Sequence, residues 1–315
     1  MGFFASLINS MPSAVAQGLI WGIMAIGVYL TYRILDVADL TVYVSLGTGG
    51  AVCVVMVLNG VPVGLALLAA TAAGMLAGLV TGLFHTACGI PAILAGILTQ
   101  LALYSVNLRI MGFGTGGGKA NLPISVDKYG LLVSARYVRN VALNNPILTL
   151  AIFCAVLIAV LYWFFGTELG CSLRATGANQ NMARAQGINT NVTKVLGLMI
   201  SNGLVALAGG LLAQYQGFSD INMGRGAIVI GLAAVIIGEV IFSRIFRNFA
   251  LKLLSAVIGA IIYYIVMVFV LRLGLSTDDL KLLTALVVAL FLTIPYWKGK
   301  YFTKTSVKKG EKNHA

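Results

Sequence analysis

Long apolar stretches recur along this chain with short polar connections between them, and each is long enough to cross about 30 Å of hydrocarbon as a helix. With 315 residues, 59% of them hydrophobic, and a mean hydropathy of +0.97, the chain lacks the polar surface to cover a water-exposed domain. Lipid must be its solvent. The stretches are apolar on every face, whereas the strands of a membrane barrel alternate in segments of about ten residues, so the fold class is all-α and polytopic.

Counting the stretches predicts about nine transmembrane helices, near 13–35, 40–60, 62–84, 90–111, 146–166, 195–216, 226–243, 250–272 and 279–297. Residues 1–297 then form a single transmembrane domain, and 298–315 a basic tail with Lys298, Lys300, Lys304, Lys308, Lys309 and Lys312. Lysines after a last span stay in the cytoplasm, which puts the C-terminus inside and, with an odd number of spans, the N-terminus outside. The short loops agree, because Arg33, Arg174, Arg184, Lys194, Arg244, Arg247 and Lys252 all fall on the cytoplasmic side. Arg109, Lys119, Lys128, Arg136 and Arg139 cluster around one long external loop, 112–145, and long loops obey the charge rule less strictly. Eight spans with one re-entrant segment would fit the same runs. The net charge of +12 reads as a topology anchor touching anionic lipid, not as a nucleic-acid surface. No Lys or Arg occurs in residues 1–12, so the basic flank of a cleavable signal is missing and the N-terminus is expected to be retained.

The 37 glycines concentrate inside apolar runs, as in Gly47-Thr48-Gly49-Gly50 and Gly203 to Gly210, where small residues let helix backbones approach closely. Ala38-Asp39-Leu40-Thr41-Val42, leading into a Gly/Ala-rich helix, has a counterpart in Ser219-Asp220-Ile221-Asn222-Met223, leading into Gly224-Arg225-Gly226-Ala227. An odd number of spans separates the two, so they enter the membrane from opposite sides, as in the inverted repeats of many transporters.

Catalytic chemistry finds little to work with. Gly114 to Ala120 fails the phosphate-binding loop pattern, since Phe113 stands at the first glycine position and Ala120 replaces the magnesium-binding hydroxyl. A flexible external loop is the simpler reading of that stretch. His85 and His314 cannot assemble a metal site or a Ser-His-Asp triad. Cys53, Cys88, Cys154 and Cys171 lack zinc or redox spacing and read as small hydrophobes. Glu239 is the acidic residue well inside a predicted span, with Arg244 one or two turns on to neutralise it, and either helix packing, gating or proton coupling would use it. So few buried ionisable groups leave little with which to couple a solute to an ion gradient, and the energy is expected to come from elsewhere.

The cytoplasmic loop 173–194 is the most informative connection. Asn179 is a good N-cap, Gln180 to Gln186 are mostly helix formers and Gly187 is a good terminator, which predicts a helix of about two turns. Met182, Ala183 and Ala185 on it could enter a partner's groove while Arg184 reaches a carboxylate; a short helix merely joining two spans would look similar.

At this loop the sequence resembles the ABC-importer permeases of the branched-chain amino acid and ribose type. The likeness is carried by Arg174-Ala175-Thr176-Gly177, Asn179 and Met182 to Asn189, by Ala206 to Leu211, Gln214 to Phe218 and Val229 to Glu239, and upstream by Gly22 to Leu30 and Arg33 to Val42. It implies a type II importer fold in a bacterial plasma membrane, with 173–194 as the coupling loop whose short helix (Gly177, Asn179, Met182, Ala183, Arg184, Ala185, Gly187) seats in a cytoplasmic ATPase. It further implies two ATP-binding subunits that carry the ATP and Mg, a second permease copy, an extracellular or periplasmic binding protein that delivers the solute, and no cofactor, metal or catalysis on this chain. The closest subgroup is associated with amino-acid uptake. Relatives commonly follow the Asp-Leu-Thr-Val stretch with an acidic residue, Gly and Ser, where this chain has Tyr43-Val44-Ser45. Polarity within spans singles out Thr41, Ser45, Gln100, Asn107 and Asn202 as candidates for the substrate pathway, each equally able to serve interhelical hydrogen bonding. The alternative reading is a self-sufficient ion-coupled carrier or channel.

Overall fold

The computed structural model describes residues 3–114, 117–125, 128–138, 145–242, 246, 248–272 and isolated positions between 282 and 293. The apolar runs fold as helices: α1 (Phe3–Tyr29), α2 (Val42–Leu58), α3 (Val63–Thr86), α4 (Ala92–Met111), α5 (Pro146–Phe165), α6 (Glu168–Ala178), α7 (Gln180–Ala185), α8 (Thr190–Gln216), α9 (Ala227–Phe242) and α10 (Phe249–Arg272). Every predicted span from 13–35 to 250–272 coincides with one of them. The last, 279–297, and the tail 298–315 lie outside the described residues apart from isolated positions in the former. Among the described residues six helices are long and apolar enough to cross a membrane by themselves, while α2 and α9, of 17 and 16 residues, are shorter.

The shortness of α2 and α9 has a local cause. α1 runs on through a π-helical turn, Leu30–Leu35, and stops at Asp36 in the left-handed region (φ +54°). Three residues later the Asp39 carboxylate caps a turn by accepting the Thr41 N–H at 2.9 Å. α8 stops at Gly217 (φ +80°), and three residues later Asp220 accepts the Asn222 N–H at 2.7 Å. The same stop, carboxylate turn and restart precede α2 and α9 alike. In each case the chain re-enters the bundle before its next helix begins.

Packing obeys the same exchange. α3 lies on α8 as α10 lies on α1; α2 lies on α8 as α9 lies on α1; α2 touches α3 as α9 touches α10. α1 and α8 run in opposite directions, since Leu35 meets Gly197 while Gly27 meets Ser201 and Val205. The inverted repeat read from two short segments therefore extends over α1–α3 and α8–α10. Backbone proximity makes it possible: a side chain at Gly49 would collide with the Ala206 carbonyl, and one at Gly209 with that of Leu46. α8, buried over most of its length, is the centre of the core.

The long loop departs from the sequence reading. Short strands β1 (Asn121–Pro123) and β2 (Phe218–Asp220) pair antiparallel, Asn121 with Asp220, so the long loop is stitched to the end of α8 instead of hanging free. Leu132 N–H adds a bond to the Gln214 side chain at 3.3 Å, and Lys119 N–H one to the Leu108 carbonyl at 3.2 Å. The ribbon marks one end of the bundle, and α6 and α7 mark the other.

Candidate functional site

At the α6–α7 end, Asn179 is extended (φ −159°) and its Oδ1 accepts the Met182 N–H at 3.1 Å, the N-cap that the sequence calls for. Gly187 (φ +81°) ends the segment. Six residues are too few for a helix to persist alone, so tertiary ties hold it. Ala183 is only 2% exposed, and Arg184 Nε donates to Thr190 Oγ1 at 2.8 Å. Met182, 64% exposed, and Ala185 point away from the bundle. An apolar knob fixed on a rigid support is suited to a partner's groove.

Gly177 belongs to α6, with its backbone against the Ile34 carbonyl, where a side chain would push α6 off α1. On its other side α6 is tied to α8 by the Thr176 and Thr193 hydroxyls, 2.9 Å apart. α6 and α7 are therefore strapped to both halves of the repeat, so a displacement of α7 acts on both. Nearby, a cleft of about 750 Å³ is lined by Tyr29, Arg33, Arg174, Glu239, Phe249 and Lys252. Glu239 pairs there with Arg33 Nε at 3.1 Å. The partner expected from sequence, Arg244, lies outside the described residues; the ion pair joins α9 to α1 and reads as a packing tie.

The second group lies midway along the bundle. Asn202, midway along the 27-residue α8, accepts the Ser45 hydroxyl at 2.6 Å and donates Nδ2 to Asp39 Oδ2 at 2.6 Å. Thr41 and Thr81 hydroxyls are 2.8 Å apart, and Thr81 and Thr99 hydroxyls 3.0 Å. Thr41, Ser45, Asn107 and Asn202 are all fully buried, whereas Gln100 on α4 is half-buried. The structure thus joins Ser45 to Asn202 and sets Thr41 in a neighbouring hydroxyl chain. Neither amide atom of Asn107 has a hydrogen-bond partner among the described residues. These side chains fix the restart of α2 against α8, α3 and α4.

What faces outward at that depth was harder to see in the sequence. Gly224 packs against the Tyr43 carbonyl, so the turn before α9 meets the first turn of α2. Asn222 Oδ1 accepts from Tyr43 Oη at 3.4 Å and from Arg225 Nη2 at 3.1 Å, and both Asn222 and Arg225 are exposed. The signal in the sequence was an arginine inside the second repeat segment. Among the described residues no group of three or more His, Cys, Asp or Glu could hold a metal ion.

The family profile described as branched-chain amino acid transport system, permease component, matches residues 10–294. The chain belongs to that permease family. Among its relatives is the tyrosine transport system permease protein of Clostridioides difficile, 40% identical over 90% of each chain. An uncharacterized protein of Rickettsia prowazekii is 36% identical over 90% of this chain and 97% of its own. The ribose import permease of Escherichia coli K12 is 28% identical over 73% and 69%. A chain of PsaBC from Streptococcus pneumoniae shares the fold at TM-score 0.50 and 16% identity, covering 95% of this chain and 98% of that one. This permease is thus a multi-pass membrane subunit of the ABC type and not itself an enzyme. The membership gives the two sites their context, one at a helix-capped end and one where two short helices begin.

Proposed function

We propose that this permease imports an amino acid on behalf of an ATP-driven complex. Two copies form the membrane path, each seating α7 in a cytoplasmic ATPase that carries the ATP and Mg, and a binding protein outside delivers the solute to the ribbon end. The N-terminus is then external and the lysine tail cytoplasmic, as the loop charges indicate. Tyrosine is the first substrate to test, since a relative covering 90% of the chain is named for its transport.

The observation that carries this reading is α7 itself: a capped helix of six residues, anchored by Ala183 and Arg184 and presenting Met182 away from the bundle. Closure of an ATPase pair beneath such helices would shift α6 and α7, and with them both repeat halves, as rigid bodies. The test is co-purification in detergent with a coexpressed ATPase. Wild type retains it, whereas a variant with Met182–Gln186 replaced by Gly and Ser loses it while remaining monodisperse. Retention by that variant would remove α7 from the coupling role.

A further inference from the structure

We propose that Arg225 receives the carboxylate of the transported amino acid halfway across the membrane, with Tyr43 and Asn222 beside it; this rests on the importer reading above. The depth follows from contacts at both restarts. Ser45 bonds Asn202, midway along α8, and Gly224 lies against Tyr43, so the 222–225 turn sits at the middle of the bundle. The distance along α9 agrees. Gly231 packs against Met24 and Val28 of α1 while Glu239 pairs with Arg33 near the end of that helix, which leaves Ala227 about halfway along α1.

A guanidinium exposed at that level would be costly if lipid faced it. Charged groups in membrane proteins instead face a wet route or a partner charge. Among the described residues the nearest carboxylate in sequence, Asp220, is already engaged. Its Oδ1 holds the Asn222 N–H at 2.7 Å and its Oδ2 the Asn121 carboxamide at 3.4 Å. Arg225 is bonded instead to the neutral Asn222 oxygen, 3.1 Å from Nη2. The Tyr43 hydroxyl on the same oxygen adds a second polar group on this face. This exposed polar face lies at the depth of the buried Ser45–Asn202–Asp39 network.

Its chemistry selects the ligand. The planar guanidinium fork matches a carboxylate in two parallel hydrogen bonds, and an amino acid in transit presents one. The surrounding α9 begins two residues later, and its positive end adds a field of the same sign. Tyr43 places a neutral phenol beside Arg225, where an acid would neutralise it. Asp220, which shapes the turn, acts as a positioning residue. A site made of one cation and two neutral groups holds its ligand weakly, as a passage between two sides requires.

The experiment uses the permease purified with its ATPase and binding protein in proteoliposomes, with a mixture of radiolabelled amino acids as probe. Arg225→Gln should lower uptake at least tenfold while the ATPase stays bound, and Arg225→Lys should keep an intermediate rate. A chemical rescue separates charge from shape. In a Cys88→Ala/Cys171→Ala background, which removes the exposed thiols and leaves the buried Cys53 and Cys154, Arg225→Cys is treated with cationic or anionic methanethiosulfonate reagents. The cationic reagent should restore uptake severalfold and the anionic one should not. Uptake within twofold of wild type for Arg225→Gln would overturn the proposal. So would equal effects of the two reagents, or loss of the ATPase along with uptake, which would mark Arg225 as structural. If wild type imports no amino acid, the importer reading itself fails, and with it this one.

Discussion

Asn202 ties α8 to the start of α2 and to the turn before it. Its carboxamide satisfies the Ser45 hydroxyl and an Asp39 oxygen inside the buried core. Asn202→Leu should destabilise the protein by about 2–3 kcal/mol or more, because a buried carboxylate loses a donor and a hydroxyl loses its acceptor. Ser45→Ala should cost about 1 kcal/mol, and thermal unfolding in detergent would rank the two. A reversed order would mean that the network does not stabilise the restart of α2. Close approach can be tested in the same way. Gly49→Val drives a Cβ into the Ala206 carbonyl and should cost about 1–3 kcal/mol or more, whereas Gly64→Val, with open space around it, should leave the unfolding temperature within a degree or two. Sequence polarity singled out Asn202, Ser45 and Thr41 within spans as pathway candidates, and the structure hydrogen-bonds all three inside the core. Polarity alone could not tell which would be spent inside the core and which would face outward, because that depends on how two distant turns meet.

Among elements, α7 shows how a helix of six residues can be specified. The Asn179 cap and the Gly187 stop were both legible, because capping is local chemistry. α6 was not, since its sequence is neither apolar enough to be a span nor periodic enough to stand out; Thr167 caps it and α1 and α8 hold it. The three-residue strands were invisible for a related reason, being too short to show alternation. Packing gives Glu239 a partner from another helix, Arg33, which sequence proximity does not show. If the cap holds α7 in place, Asn179→Ala should weaken it by about 1 kcal/mol. Amide exchange at Met182 to Arg184 should then rise about fivefold while α8 is unchanged. Unchanged exchange would show that Ala183 and Arg184 hold α7 without the cap.

At the level of the whole molecule, the apolar runs fixed the class and most of the helices, because length and hydropathy are properties of a segment alone. The repeat was readable as two short matches, yet its extent needed the packing: exchanging α1–α3 with α8–α10 exchanges their partners. Two inversely oriented halves meeting at short, interrupted helices form a frame in which one half can rock against the other around the middle. The central claim is that this rocking is driven by an ATPase acting through α6 and α7, not by an ion gradient. The most direct test is uptake of radiolabelled tyrosine by proteoliposomes containing the permease alone or with its ATPase and binding protein, with ionophores present or absent. Import that requires the ATPase and ATP and persists when ion gradients are collapsed is the predicted result. Import by the permease alone, abolished by the ionophores and indifferent to ATP, would contradict the account.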